Sequence, residues 1–275
     1  MRTWHLLLMI FGAVNLATVY AATKQTCAVS YDQHDLDLSP YRSEFVEDVG
    51  TVLFPIDKTS FDSLTFDSRD RKLKFSNFYK MFAFVNTTVI DVGFDDGLAS
   101  LYLARLVGKS GRVIAMDSSP VSCNSLEYMC HINAMNNIRI MQATPSVKTQ
   151  FGVTYKSNKH KRDVISILQD VDDETLELCD KYDMELIRLI GIDSLGLNEV
   201  SFIRINSPKN EMETLIGAQD TILAWHPAIL IRIKGAMLKN HQVSNKASDI
   251  LDYIRSFGYS CLYTSEDTFI CTFNQ

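Results

Sequence analysis

The chain has 275 residues, 46% of them hydrophobic and 22% charged. That is enough to bury the core of one α/β domain with a short extension, and it excludes global disorder. A formal net charge of -6 works against a phosphate-binding surface, so nucleic acid is not an expected partner.

Residues 1–22 read as a signal peptide or signal anchor. Arg2 supplies a basic start, Trp4 to Val14 is almost wholly apolar, and Val19-Tyr20-Ala21 fits a small-x-small cleavage pattern. Cleavage near Ala21 or Ala22 implies a secreted or lumenal protein of the secretory pathway. An uncleaved stretch would be a membrane anchor, a role that His5 and Asn15 weaken. The cysteines are Cys27, Cys123, Cys130, Cys179, Cys261 and Cys271, and an oxidising compartment permits them to pair. Cys123 and Cys130 fall in one expected helix at a separation of roughly 10 Å, too far for a bridge. Cys261 and Cys271 flank Glu266 symmetrically in an expected hairpin. They read either as a disulfide or as two half-buried strand residues.

Residues 23–80 lack strong periodicity. Ser60-Phe61-Asp62-Ser63 and Thr65-Phe66-Asp67-Ser68 echo each other, too briefly to be a repeat. This segment is expected to be an extension or lid packed on the main domain. Asn86-Thr87-Thr88 is a glycosylation sequon that abuts a core strand.

From residue 81 to 275 strands alternate with helices. Thr88 to Val92 is a short apolar strand. Leu98, Leu101, Tyr102 and Leu106 follow at helical spacing, and Gly108 stops that helix. Arg112 to Asp117 is a second strand. Ser119-Pro120 opens a helix whose apolar face carries Cys123, Leu126, Cys130 and Ala134. Ile138 to Gln142 is a third strand. The polar stretch that follows holds a basic run, Lys156 to Arg162, and an acidic helix candidate, Asp172 to Asp183. Both read as solvated faces. Then come strand Leu186 to Ile190, strand Ser201 to Ile205, a helix from Glu211 to Ala224, strand Ala228 to Ile233 and a helix from Ser248 to Phe257. Tyr259 to Tyr263 and Thr268 to Phe273 close the chain as a hairpin. The pattern predicts an α/β, Rossmann-like, mostly parallel doubly wound sheet with a C-terminal antiparallel hairpin.

The chemistry lies in Val89-Ile90-Asp91-Val92-Gly93-Phe94-Asp95-Asp96-Gly97, with Asp117 ending the next strand. Two glycines four apart make a tight strand-to-helix turn. The first is expected to leave the backbone open to a ligand, and the second to let the helix approach closely. An acid about 20 residues on can hold both ribose hydroxyls of a nucleoside, and Asp117 stands there. Asp91 reads either as a contact to the ligand's amino group or as a cap on the turn. The spacing is not the G-x-G-x-x-G of dinucleotide enzymes, and with the closing hairpin it disfavours a nicotinamide oxidoreductase. The histidines His34, His131, His160, His226 and His241 show no metal-ligand spacing, so no metal is expected.

From Thr88 to Phe273 the sequence resembles the FkbM-type methyltransferases. The matching blocks are VIDVGFDDGLASLYLARLVGKSGRVIAMDSSP, INAMNNIRIMQATPS and IDSLGLNEVSFIRINSPKNEMETLIGAQDTILAWHPAILIRI. The resemblance implies a class I fold and S-adenosylmethionine as cofactor. It also implies O-methyl transfer to a small-molecule, glycan or secreted acceptor. Cofactor contacts would come from Asp91, Gly93, Gly97 and Asp117, with Gln142 and Ala143 near the adenine. The family pattern I-D-V-E-G after the fourth strand is here Ile205-Asn206-Ser207-Pro208-Lys209, and an acid in the next strand is Arg232. Glu211 persists as a carboxylate able to take a proton or hold a metal, while Asn206 can hydrogen-bond but not act as a base. These departures raise a second expectation, a catalytically silent relative that binds or scaffolds.

Overall fold

The computed structural model describes residues 41–46, 49–55, 66–67, 72–155, 166–168, 171, 173–182, 184–236 and 243–274. All of them fall in one unit, Leu38–Gln275. The leader, Cys27, the Ser60–Ser63 echo and the basic run Lys156 to Arg162 lie outside the described residues.

Seven strands form the central sheet: β1 (Thr88–Val92), β2 (Arg112–Asp117), β3 (Ile138–Gln142), β4 (Val200–Ile205), β5 (Ala228–Arg232), β6 (Tyr259–Ser265) and β7 (Thr268–Phe273). Their order is β3-β2-β1-β4-β5-β7-β6. β3, β2, β1, β4 and β5 pair in parallel, and β7 runs antiparallel to both of its neighbours. The chain thus has the Rossmann-like α/β fold with the C-terminal hairpin that the sequence predicts. The central strands read as continuous apolar runs because helices cover both faces. Side chains alternate between the faces at period two. Val89, Phe202 and Leu230 therefore pack on one face with α1 (Leu98–Val107) and α2 (Pro120–Ile132). Ile90, Ile203 and Ile229 pack on the other with α3 (Glu211–Ile216), α4 (Gln219–Trp225) and α5 (Asn245–Ser256). Ser119 caps α2 by accepting the Ser122 N–H, and Pro120 fills its first turn.

Two expectations are corrected. The helix expected from Glu211 to Ala224 is two helices, α3 and α4, broken at Gly217. A Cβ there would stand 2.0 Å from the Ser146 carbonyl oxygen, so the backbones touch. The Gly217 carbonyl accepts from the Asp193 N–H instead of continuing a helix. The Asp193 carboxylate then accepts the Asp220 and Thr221 N–H groups, capping α4 from outside. The second correction concerns Leu186 to Ile190. That strand, Met184–Ile190, stays out of the central sheet. It pairs with Gln150–Tyr155 and Thr144–Pro145 in a separate four-stranded sheet. Only part of it is buried, as suits a sheet with one solvated face. The acidic helix is present as Asp173–Lys181.

The segment before the domain contributes to its core. A hairpin of Tyr41–Val46 with Gly50–Pro55, the short strand Lys72–Leu73 and a helix Ser76–Phe82 bring Val46, Val52, Leu73 and Tyr79 into the cluster around α1 and α2. Asn86 of the sequon is exposed at φ +67, just before β1.

Cys261 and Cys271 lie opposite each other in β6 and β7 and are bridged. Cys123, Cys130 and Cys179 are buried thiols. Replacing both bridged residues by alanine is expected to lower the unfolding free energy by about 2–3 kcal/mol, through the released loop-closure constraint. The urea midpoints of oxidised, reduced and double-variant protein measure this. A single common midpoint would mean that the bridge is energetically silent.

Candidate functional site

The turn after β1 is built by its neighbours. Gly93 has φ +72, and its N–H donates to the Met116 carbonyl at 2.7 Å. The Asn206 N–H donates to the Val92 carbonyl at 2.8 Å, which brings the end of β4 against the turn. A Cβ on Gly93 would stand 2.2 Å from the Asn206 carbonyl oxygen. The adjacent backbone by itself thus demands glycine at this position. Gly97, at φ +77, behaves as expected. Its Cβ would meet Leu126 Cδ1 at 2.8 Å and Met129 Cε at 3.0 Å, so α1 and α2 approach closely there. Gly97 is buried in that packing and does not line the cavity described below.

Asp91 is fully buried, and both its oxygens are occupied. Oδ1 accepts from the Arg204 guanidinium at 2.7 Å, and Oδ2 accepts from the Ser100 hydroxyl at 2.7 Å. This corrects both expectations for Asp91: it neither faces the cavity nor caps the turn, but neutralises a cation in the middle of the sheet. Burial works against the Arg204 charge, yet Asp91, followed by Tyr79, more than offsets it and holds its pKa above the usual arginine value. Tyr79, from the helix before the domain, is buried beside this pair, and burial pushes its hydroxyl up to about 12.

A cavity of about 300 Å³ opens where the parallel strands end. Gly93 and Asp95 line it after β1, Asp117 at the end of β2, and Ala143 after β3. Asn206, Ser207, Pro208, Lys209 and Asn210 line it after β4, with Lys234 after β5 and Lys246 on α5. Open α/β sheets bind ligands at this edge. Asp117 Oδ2 accepts the Asp95 N–H at 3.1 Å, and Oδ1 accepts the Ser119 N–H at 2.9 Å. Burial pushes its carboxyl up to about 6. The two N–H groups oppose that shift, and Asp95 adds to it. The group is therefore an anion at neutral pH.

Of the residues expected from sequence, Gly93, Asp117, Ala143 and Asn206 come together on this wall. Gln142 is the register partner of Asp117 in β3 but is not part of the lining. Glu211 also stands back. It is fully buried, and Lys246 Nζ reaches its Oε2 at 3.0 Å from the cavity side. Its Oε1 has no hydrogen-bond partner. A carboxylate sealed behind an ammonium group is badly placed to take a proton from a substrate, which corrects the role expected for Glu211. No cluster of metal-ligating side chains occurs among the described residues.

Sequence reasoning missed Arg204, Lys234 and Lys246. A charge inside Phe202-Ile203-Arg204-Ile205 was a usable signal for the first, since a cation in a doubly covered strand must be paired. Nothing local marks the lysines, which only the fold brings to one cavity.

A family model, the methyltransferase FkbM domain, matches residues 91–261. No curated protein matches the sequence. Among solved structures, the FkbM methyltransferase of Methylobacillus flagellatus is 17% identical with a TM-score of 0.48, over 71% of this chain and 48% of that one. The chain thus spans about half the length of that relative. An rRNA methylase from Streptococcus thermophilus is 11% identical with a TM-score of 0.42, over 72% of this chain and 93% of that one. The Aeropyrum pernix fibrillarin with natively bound S-adenosyl-L-methionine is 9% identical with a TM-score of 0.42, over 69% of this chain and 66% of that one.

Proposed function

Because the chain belongs to the FkbM methyltransferase domain family, we propose that it binds S-adenosylmethionine in the cavity at the strand ends and transfers its methyl group to an oxygen. The observation that carries this reading is Asp117, a buried carboxylate on the cavity wall between the turn after β1 and Ala143 after β3. The residues fit the cofactor. The cavity volume lies in the range of small-ligand sites. Each Asp117 oxygen accepts one backbone N–H, and a carboxylate has about four acceptor positions, which leaves room for ribose hydroxyls. Ala143 keeps the wall after β3 small and apolar. When bound, the cofactor supplies a methyl group activated on a sulfonium. Asn206 lines the wall beside Asp95, whose Oδ2 lies 3.5 Å from the Asn206 amide nitrogen, and there the amide can orient an acceptor but cannot remove a proton.

The acceptor in this reading is a small molecule, a glycan or another component of the secretory pathway. The net charge of -6 speaks against nucleic acid. The N-terminal leader supports secretion or a lumenal location, with membrane attachment only if it is kept as an anchor. The competing reading is a silent relative that binds cofactor and serves as a scaffold. Asn206, Pro208 and Lys209 on the wall favour that reading if the acceptor must lose a proton.

Calorimetric titration with S-adenosylmethionine tests the common premise, and no binding by folded protein refutes it. Asp117→Ala is expected to weaken binding by about 1–3 kcal/mol, the scale of hydrogen bonds to a charged group. Acidification probes the same residue. The Asp117 carboxyl is ionised above about pH 6, so affinity should be present there and fall below it. The raised folded pKa makes protonation stabilise the native state, so this group adds stability as pH drops from about 6 towards the ordinary 3.8. Affinity and this contribution to stability therefore move in opposite directions, which separates loss of binding from acid unfolding. An affinity indifferent to pH and to Asp117→Ala would remove that residue from the site.

A further inference from the structure

The cavity wall is divided by charge. Its carboxylates, Asp95 and Asp117, stand after β1 and at the end of β2, whereas its lysines, Lys209, Lys234 and Lys246, stand after β4, after β5 and on α5. The strand order places β2, β1, β4 and β5 side by side, so about 14 Å of sheet edge separates Asp117 from the start of the Lys234 turn. In a chain of net charge -6, such a local gathering of cations runs against the average. Lys209 adds a second oddity. It holds φ +79, a conformation that glycine takes at lower cost. Lys246 has an ammonium with three donors, and one is committed to Glu211 at 3.0 Å. Its side chain remains half exposed, so the other donors are available to the cavity.

Among the described residues, the lining of this half holds no base of its own. Its described lining is Asn206, Ser207, Pro208, Lys209, Asn210, Lys234 and Lys246, without a carboxylate or an imidazole. Glu211 is shielded by Lys246. An alcohol acceptor would have to give up a proton there, and the carboxylate that approaches this half is that of Asp95, whose Oδ2 lies 3.5 Å from the Asn206 amide nitrogen. A carboxylic acid is already an anion at neutral pH.

Resting on the methyltransferase reading above, we propose that the acceptor is a carboxylate, bound by Lys209, Lys234 and Lys246, and that the product is a methyl ester. Transfer to a carboxylate oxygen forms one O–CH3 bond, breaks the C–S bond of the sulfonium donor, leaves that electron pair on sulfur and releases no proton. Such a transfer asks for no base. The lysines align the nucleophile, and positioning is the larger part of what such a transfer needs.

The test has a binding arm and a product arm. Cofactor affinity is measured first by calorimetry, so that failure of the methyltransferase reading shows itself separately. The protein is then saturated with S-adenosylhomocysteine, and benzoate, succinate and phenyl phosphate are compared with benzyl alcohol by saturation-transfer NMR. Carboxylates should bind, the alcohol should not, and binding should fall at least tenfold in Lys209→Gly with Lys234→Gln. Both lysines are exposed, and glycine at 209 suits the backbone, so this variant should fold and keep its cofactor affinity. In the product arm, methyl-tritiated S-adenosylmethionine is offered hydroxycarboxylic acids, which present both kinds of oxygen in one molecule. Counts released as methanol by mild alkali support the ester. With cofactor binding intact, any of the following overturns the carboxylate: alkali-stable counts, preference for the alcohol or for the phosphate, no transfer to any acid, or binding unchanged in the lysine variant.

Discussion

Arg204→Met is expected to cost about 3–5 kcal/mol of stability, because it strands the charge of Asp91 in the core. Asp91 is fully buried, its Oδ1 lies 2.7 Å from the guanidinium, and its other oxygen has only the Ser100 hydroxyl. Removing the cation leaves an anion without a counter-charge between two helical layers. Adding Asp91→Asn should restore part of the loss, since a buried pair is replaced more cheaply than it is broken. Urea denaturation of the two variants and the parent reads this directly. A loss under about 1 kcal/mol for Arg204→Met would place the pair among those that contribute little, as exposed pairs do.

The second large effect is expected for Gly93→Ala. An alanine at φ +72 pays about 1 kcal/mol or more for a left-handed backbone. Its Cβ would also stand 2.2 Å from the Asn206 carbonyl oxygen, a backbone atom without a rotamer to yield. The ends of β1 and β4 must part, and Asn206 is on the cavity wall, so S-adenosylmethionine affinity should fall at least tenfold. Gly97→Ala is the control. It meets the flexible tips of Leu126 and Met129, so it should cost stability while sparing more of the affinity. Cofactor titrations of the two variants decide the matter. If Gly93→Ala binds like the parent, the turn after β1 does not shape the site.

Much of the architecture was legible in the residues alone. Thr88 to Val92, Arg112 to Asp117 and Ala228 to Ile233 announce themselves as short apolar runs, because a strand covered on both faces leaves no room for polar alternation. Gly93 and Asp117 marked one side of the cavity wall, since left-handed turns and strand-end acids have local signatures. The broken helix at Gly217 was not legible. Its cause is a carbonyl from Ser146 and a cap from Asp193, both distant in sequence. The strand Met184–Ile190 misled for the same reason: local pattern gives a strand but not its partner, and its partners proved to be Gln150–Tyr155 and Thr144–Pro145.

By itself the sequence determined the order along the chain of the strands of the central sheet, the closing hairpin that brings Cys261 opposite Cys271, and the strand-end position of Asp117. These follow from periodicity and turn chemistry, which act over a few residues. Only the tertiary structure decided that Asp91 serves Arg204 instead of a ligand, that Glu211 stands behind Lys246, and that lysines from three separate segments face one cavity. Charge pairing and burial depend on distances across the fold, and residues 113 positions apart, such as Asp91 and Arg204, carry no mark of their contact until the chain has closed.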